Sequence, residues 1–143
     1  MTVQVVLHTL TAVKQTPPTW KQDKKTYETG NKRNPCEHAE MLAFNARGGA
    51  NIIYLAQNAF PCQTCHDFLI ANSATCKVII NIQADEGSYS LDHKKKLGVA
   101  TVTVPYTFYY PGTTAGTAKM VAGSNVADAP AGFPAIPAFT AYW

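Results

Sequence analysis

Four side chains with the chemistry of a metal-dependent hydrolytic site lie in two short segments of the chain. The first segment is His38-Ala39-Glu40, and the second is Pro61-Cys62-Gln63-Thr64-Cys65. One imidazole and two thiols are ligands that a tetrahedral Zn²⁺ prefers, and three protein ligands leave a fourth position open for water. A carboxylate beside that position can carry the protons that a hydrolysis must move.

The pair of Cys62 and Cys65 is by itself compatible with two other functions. A Cys-x-x-Cys pair that follows a strand and opens a helix is typical of thioredoxin-like redox motifs. Because His66 comes next, the segment also fits the pattern of c-type haem attachment. Neither alternative explains His38 and Glu40 in the preceding segment, so the two segments together favour a zinc site.

Length and composition are those of a globular domain. The 143 residues suffice for one domain with a single core, and 46% hydrophobic against 15% charged residues argues against disorder. The net charge of +3 permits a polyanionic substrate without requiring one. The sequence has no apolar run long enough for a transmembrane helix, and its first residues lack the features of a signal peptide.

The pattern along the chain predicts alternating strands and helices. Strands are expected at residues 3–10, 52–56, 77–82 and 99–104, and helices at 37–47, 61–72 and 88–98. Residues 14–35 are expected to be mostly loop, with a short strand around residues 26–28. This order predicts a largely parallel sheet with helices on its faces, and it puts both segments at helix N-termini.

The composition changes at Pro111. Residues 111–143 are rich in Ala, Gly, Pro and Thr, which disfavours long regular elements. We therefore divide the chain into a domain at 1–110, which contains both candidate zinc segments, and an extended or flexible C-terminal arm at 111–143. In the alternative interpretation, aromatic residues of the arm dock onto the domain, a partner or the substrate channel.

The two segments together resemble the zinc-binding motifs of the cytidine-deaminase-like superfamily, in particular deaminase domains at the C-termini of bacterial toxins. The resemblance covers about residues 36–104. It implies an α/β three-layer sandwich with a mixed, mostly parallel five-stranded sheet flanked by helices. It also implies one catalytic Zn²⁺ held by His38, Cys62 and Cys65, with Glu40 as the proton carrier. The connection at 83–98 is long enough for a helix, which would make the last two strands parallel.

The resemblance implies hydrolytic deamination of cytosine to uracil within nucleic acid. Single-stranded DNA is the favoured substrate because an unpaired base need not be pulled from a duplex stack. Cytosine in duplex DNA, adenine in RNA, free cytidine and a non-enzymatic zinc module that binds nucleic acid stay open as alternatives. A toxin domain would act in the cytoplasm of a target cell as part of a larger secreted protein. An immunity protein is then expected to cover the pocket, and no membrane partner is expected.

Seven residues within or near the two segments are candidates for substrate binding. These candidates are Trp20, Tyr27, Asn34, Ala39, Phe60, Pro61 and His66. The aromatic ones are expected to stack on a base, and the lysines at 21–32 and 94–96 suit phosphates. The aromatic run at 106–110 suits either base stacking or an edge strand on the core. Cys36 and Cys76 are expected to be structural, since a fourth thiolate would close the open metal position.

Overall fold

The computed structural model describes residues 3–12, 19–29, 38–86, 94–95, 97, 104–110, 119–122 and 133. Within this part of the chain, six strands alternate with two helices. The strands are β1 (Val3–Ala12), β2 (Thr19–Thr29), β3 (Ile52–Gln57), β4 (Lys77–Ile82), β5 (Tyr106–Tyr110) and β6 (Lys119–Ala122). The helices are α1 (Ala39–Asn45) and α2 (Gln63–Asn72).

The six strands form one mixed sheet in the order β2-β1-β3-β4-β5-β6. Only β3 and β4 are parallel, and the other neighbouring pairs are antiparallel. The four central strands are β1, β3, β4 and β5, while β2 and β6 lie at the two edges. The α/β class and the mixed sheet are confirmed, but the expected predominance of parallel pairs is wrong, and the sheet has six described strands instead of five.

The edge strand β2 accounts for part of this difference. Residues 14–35 were expected to be mostly loop with a short strand around 26–28. That strand is confirmed as part of a longer one, since residues 19–29 form an eleven-residue strand that pairs antiparallel with β1. At the other side of the sheet, β5 at 106–110 is the strand that pairs with β4, and it is antiparallel. The expected strand at 99–104 lies outside the described residues except for Val104, which is in a bend. The expected helix at 88–98 is described only at 94–95 and 97.

Both helices begin and end within two residues of their predicted bounds. Gly48 follows α1 with a positive φ of 64°, a conformation that glycine adopts without strain, and the chain then turns toward β3. The stretch before α2 has extended backbone at Cys62, as is usual for an N-cap residue. Among the described helices, none is long and apolar enough to span a membrane.

The apolar core lies between one face of the sheet and the two helices. The strand register places on this face Val5, Leu7, Ile53, Leu55, Val78, Ile80, Ile82, Tyr106, Phe108 and Tyr110. Ala43 and Phe44 of α1 and Leu69 of α2 pack into the same cluster. Burial of each large apolar side chain stabilises the fold by roughly 1.5–3 kcal/mol, so this face fixes the position of both helices.

The opposite face of the sheet is also buried, and it carries Val6, His8, Tyr54, Ile79 and Tyr109. The ring of Phe133 meets that of Tyr109 edge to face at 5.2 Å. Neither described helix packs on this face, so the third layer of the expected sandwich is not among the described residues. Phe133 lies in the segment 111–143, and the division of the chain into a domain and an arm stays a prediction.

Candidate metal centre

Three potential metal ligands converge where α1 and α2 begin. Nδ1 of His38 lies 3.0 Å from Sγ of Cys65 and 3.4 Å from Sγ of Cys62, and all three atoms lie within 4.8 Å of one another. In a tetrahedral zinc site with bonds of about 2.1 Å to nitrogen and about 2.3 Å to sulfur, N and S are about 3.6 Å apart. The three side chains are therefore close to the arrangement that one bound ion would impose.

The positions of these residues at helix starts explain why they meet. His38 and Cys62 are the N-cap residues of α1 and α2, both with extended backbone, and Cys65 is the third residue of α2. The backbone amide of Cys65 donates to the sulfur of Cys62 at 3.4 Å. Amides at a helix N-terminus favour negative charge, so this cap stabilises the thiolate form that binds metal.

A hydrogen bond between the two thiols separates their pKa values. It lowers the pKa of Cys62 to about 5, with further help from the Cys65 amide and from the His38 imidazole. The same hydrogen bond raises the pKa of Cys65, and burial and the neighbouring Glu40 carboxyl raise it further. Cys62 is thus poised as a thiolate, while Cys65 has to release its proton when it binds a metal.

Glu40 is buried directly beside the three ligands. It is the second residue of α1 and is only 3% exposed. The Sγ of Cys65 lies 3.4 Å from its Oε2, and the side-chain amide of Gln57 donates to its Oε1 at 3.1 Å. Burial raises the pKa of Glu40 above its usual value. A raised pKa makes a carboxyl group a better acceptor of protons than an exposed one.

Gln57 is a residue of this site that the sequence reasoning missed. It ends β3, it is fully buried, and its Nε2 also donates to the backbone oxygen of Ala59 at 2.8 Å. Its Oε1 has no hydrogen-bond partner within the described part of the chain. The signal available in the sequence was a polar amide at the end of an otherwise apolar strand, Ile-Ile-Tyr-Leu-Ala-Gln.

His66, a candidate substrate contact, is buried against the sheet. Its Nδ1 lies 2.8 Å from the hydroxyl of Tyr110, and the two rings meet edge to face. Burial raises the pKa of Tyr110 well above its usual value, so its hydroxyl stays protonated and can donate. This contact ties the first turn of α2, and with it Cys65, to β5.

Phe60, a candidate for stacking on a base, has a structural role. Its ring is fully buried and packs against Tyr106 and Phe108, at centroid distances of 5.9 and 6.1 Å. The buried ring offers no free face for stacking in this structure, and a contact of Phe60 with substrate stays a prediction. Two other candidates, Ala39 and Pro61, are also buried, next to the ligands His38 and Cys62.

The aromatic residues of β5 and the lysine at 94 belong to the interior as well. All five residues of β5 are buried, and the strand lies between β4 and β6, so it is not an edge strand. Lys94 forms an ion pair with Asp85 at 2.7 Å, and its ammonium lies 5.1 Å from the centroid of Phe60. Lys94 is therefore not part of an exposed basic patch, whereas Lys95 is exposed.

The remaining candidates lie in β2 or outside the described residues. The backbones of Trp20 and Tyr27 pair with those of Leu10 and Val5 in β1. Asn34 and Cys36 lie outside the described residues, so their predicted roles stay predictions. Cys76 is buried in the core, which agrees with a structural role, and burial raises its pKa to about 11.

Comparison with family models, with curated proteins and with solved structures finds no match for this chain. Support for a zinc-dependent function therefore comes from the site itself. The three ligand atoms are near metal-binding distance, and the chemistry of one imidazole and two thiols suits zinc.

Proposed function

We propose that this chain is a zinc-dependent hydrolytic deaminase that converts cytosine to uracil in nucleic acid, with single-stranded DNA as the favoured substrate. The observation that carries the proposal is the position of Glu40. Its buried carboxyl lies 3.4 Å from a sulfur of the ligand group but is not one of the three ligands. A purely structural zinc site has no need of a buried carboxyl at this place.

The donor set fits a catalytic zinc ion. His38, Cys62 and Cys65 supply three ligands, and two thiolates balance the charge of Zn²⁺. When bound, Zn²⁺ supplies the Lewis acidity that makes water a nucleophile near neutral pH. The half-buried positions of His38 and Cys62 leave one side of the group accessible, while Cys65 is buried.

Glu40 is the proton carrier in this proposal. Its carboxyl accepts a proton from the attacking water and delivers it to N3 of cytosine. It then accepts the proton of the hydroxyl group added at C4 and delivers it to the departing ammonia. Burial is the largest influence on its pKa and raises it, although the hydrogen bond from Cys65 and the charge of His38 act in the opposite direction.

Two arguments support a nucleic-acid substrate: the motif resemblance, and the energetic cost of removing a base from a duplex stack. An unpaired base enters a pocket without the loss of stacking that a duplex base suffers, which favours single-stranded DNA. A net charge of +3 is compatible with a polyanionic substrate. Action as a toxin domain in the cytoplasm of a target cell, with an immunity protein as partner, belongs to the same proposal and has the motif resemblance as its support.

A substrate panel with a matched variant tests the proposal. Zinc-loaded protein is incubated with single-stranded DNA, duplex DNA, RNA and free cytidine, and conversion of cytosine to uracil is measured. We expect the fastest conversion in single-stranded DNA and a loss of about 10²- to 10⁴-fold in Glu40→Gln, with the zinc content unchanged. Activity that survives Glu40→Gln contradicts the mechanism, and conversion of adenine alone contradicts the choice of base.

A further inference from the structure

Gln57 is the buried polar residue at the site whose role the proposed reaction does not specify. Its amide nitrogen donates to two oxygens, Oε1 of Glu40 at 3.1 Å and the backbone oxygen of Ala59 at 2.8 Å. Its own amide oxygen is buried and has no hydrogen-bond partner in the described part of the chain. If this position only filled the core, an apolar residue of the same size would be more stable there, because it would leave no polar atom unpaired.

The orientation of this amide is fixed by its surroundings. If the nitrogen and oxygen of Gln57 were exchanged, the amide oxygen would face the backbone oxygen of Ala59 and a carboxyl oxygen of Glu40. Each contact would then join two acceptors, which is repulsive when the carboxyl is ionised and leaves Ala59 unsatisfied in any case. The backbone contact with Ala59 therefore keeps the N–H group aimed at Glu40.

We propose that Gln57 is the positioning residue of Glu40, which holds Oε1 by a donated hydrogen bond and leaves Oε2 as the oxygen that exchanges protons with the substrate. The inference rests on the proposed function. Oε1 accepts from the amide of Gln57, whereas Oε2 accepts from the thiol of Cys65, a donor that is lost when this thiol binds a metal. Oε2 is also the oxygen that lies next to Cys65, on the side of the ligand group.

A positioning role and a merely structural role predict different results for Gln57→Met. Met keeps the volume, removes the donor and also removes the unpaired buried oxygen. If Gln57 positions Glu40, the rate of the chemical step falls because the carboxyl is no longer held in place. If Gln57 only builds the core, the stability changes and the turnover of the folded, zinc-loaded protein does not.

The matched control is Asn81, a second buried amide on the neighbouring strand β4. Its Nδ2 donates to Oγ1 of Thr107 at 3.1 Å, and the register places it on the opposite face of the sheet. We expect Asn81→Leu to lower the midpoint of unfolding and to leave kcat unchanged. The contrast between the two amides separates damage to the core from damage to the site.

The kinetic experiment compares the wild type, Gln57→Met, Glu40→Ala, the double variant and Asn81→Leu as zinc-loaded full chains. For Gln57→Met we expect kcat to fall about 10- to 100-fold, with KM and zinc content nearly unchanged. In the Glu40→Ala background, Gln57→Met should cause no further loss. An unchanged kcat in Gln57→Met, beside an inactive Glu40→Ala, overturns the positioning role and leaves the proposed function standing.

A readout without activity separates the two claims. The unfolding midpoints of the zinc-free wild type, both single variants and the double variant form a double-mutant cycle. Non-additive shifts support the Gln57–Glu40 contact, and additive shifts overturn it. A wild type that deaminates no base but has a non-additive cycle overturns the proposed function and still supports the contact.

Discussion

The two faces of the sheet bury polar side chains in different ways. On the face that carries the helices, Glu40, Gln57, Cys65 and His66 are buried around one ligand group, and the oxygen of Gln57 lacks a partner within the described residues. On the opposite face, Asn81 pairs with Thr107, and His8 packs edge to face on Tyr54 at 5.4 Å. The polar side chains of the first face surround the candidate metal ligands, whereas those of the second face form separate local contacts.

This difference distinguishes the candidate metal site from the part of the interior that only stabilises the fold. An unsatisfied buried acceptor such as Oε1 of Gln57 costs roughly 1–3 kcal/mol, whereas a completed pair such as Asn81 and Thr107 contributes about 1 kcal/mol. Folded proteins tolerate local costs mainly where function requires them. One such cost lies beside Glu40, the residue on which the proposed chemistry depends.

The largest expected effect is the loss of metal from Cys65→Ser. Replacement of a thiolate ligand by a hydroxyl should lower the zinc affinity by more than about 100-fold, a larger change than supporting contacts produce. Competition with a chelator measures the affinity. Cys76→Ala is the matched control, since Cys76 is also buried but is not part of the ligand group. Equal zinc loss in both variants would contradict the assignment of the ligands.

On the opposite face, His8 should make folding sensitive to acid. Burial lowers the pKa of His8 to about 4, while the unfolded chain takes up the proton near pH 6.5. The contribution of His8 to the free energy of unfolding is therefore fully present above pH 6.5, and it is lost as the pH drops from there to about 4. The loss is about 3 kcal/mol.

His8→Phe keeps an aromatic ring against Tyr54 and removes the titrating group. The difference in unfolding free energy between the wild type and His8→Phe should therefore change with pH only between about 4 and 6.5. Urea unfolding at several pH values measures this difference. A pH-independent difference would show that His8 is not held neutral by burial.

A smaller effect is expected from the buried lysine that pairs with Asp85. Lys94 is 5% exposed, and its ammonium donates to both carboxyl oxygens of Asp85 and lies over the ring of Phe60. Lys94→Met should lower the stability by roughly 1–3 kcal/mol, because it breaks a mostly buried charged pair. The exposed neighbour gives the control, and Lys95→Met should change the stability by less than about 0.5 kcal/mol. Equal effects in both variants would refute the buried role of Lys94.

Local patterns in the sequence were sufficient for much of the fold. The helices α1 and α2 and the strands β1, β3 and β4 follow from short stretches of suitable propensity and periodicity. The strand β2 could not be identified in this way. Its sequence, Thr-Trp-Lys-Gln-Asp-Lys-Lys-Thr-Tyr-Glu-Thr, lacks an apolar alternation, and it is extended because it pairs with β1. The parallel or antiparallel direction of the strands likewise depends on pairings between segments that are distant in the sequence.

The residues of the candidate site also differ in whether local sequence patterns predict them. His38, Glu40, Cys62 and Cys65 were predictable because each pair keeps a fixed short spacing that the chemistry requires. The contact of Gln57 with Glu40 spans 17 residues, and that of His66 with Tyr110 spans 44. No local spacing encodes such contacts. The burial of Phe60 and Lys94 also depends on tertiary packing, which is why the sequence pattern did not predict it.

Zinc K-edge X-ray absorption of the zinc-loaded chain tests the central claim, an open zinc site, most directly. The account predicts two sulfur ligands at about 2.3 Å, one imidazole nitrogen and one light atom from solvent. The spectrum should be the same in Cys36→Ser. Three sulfur ligands, reduced to two in Cys36→Ser, would show a closed structural site and contradict the account.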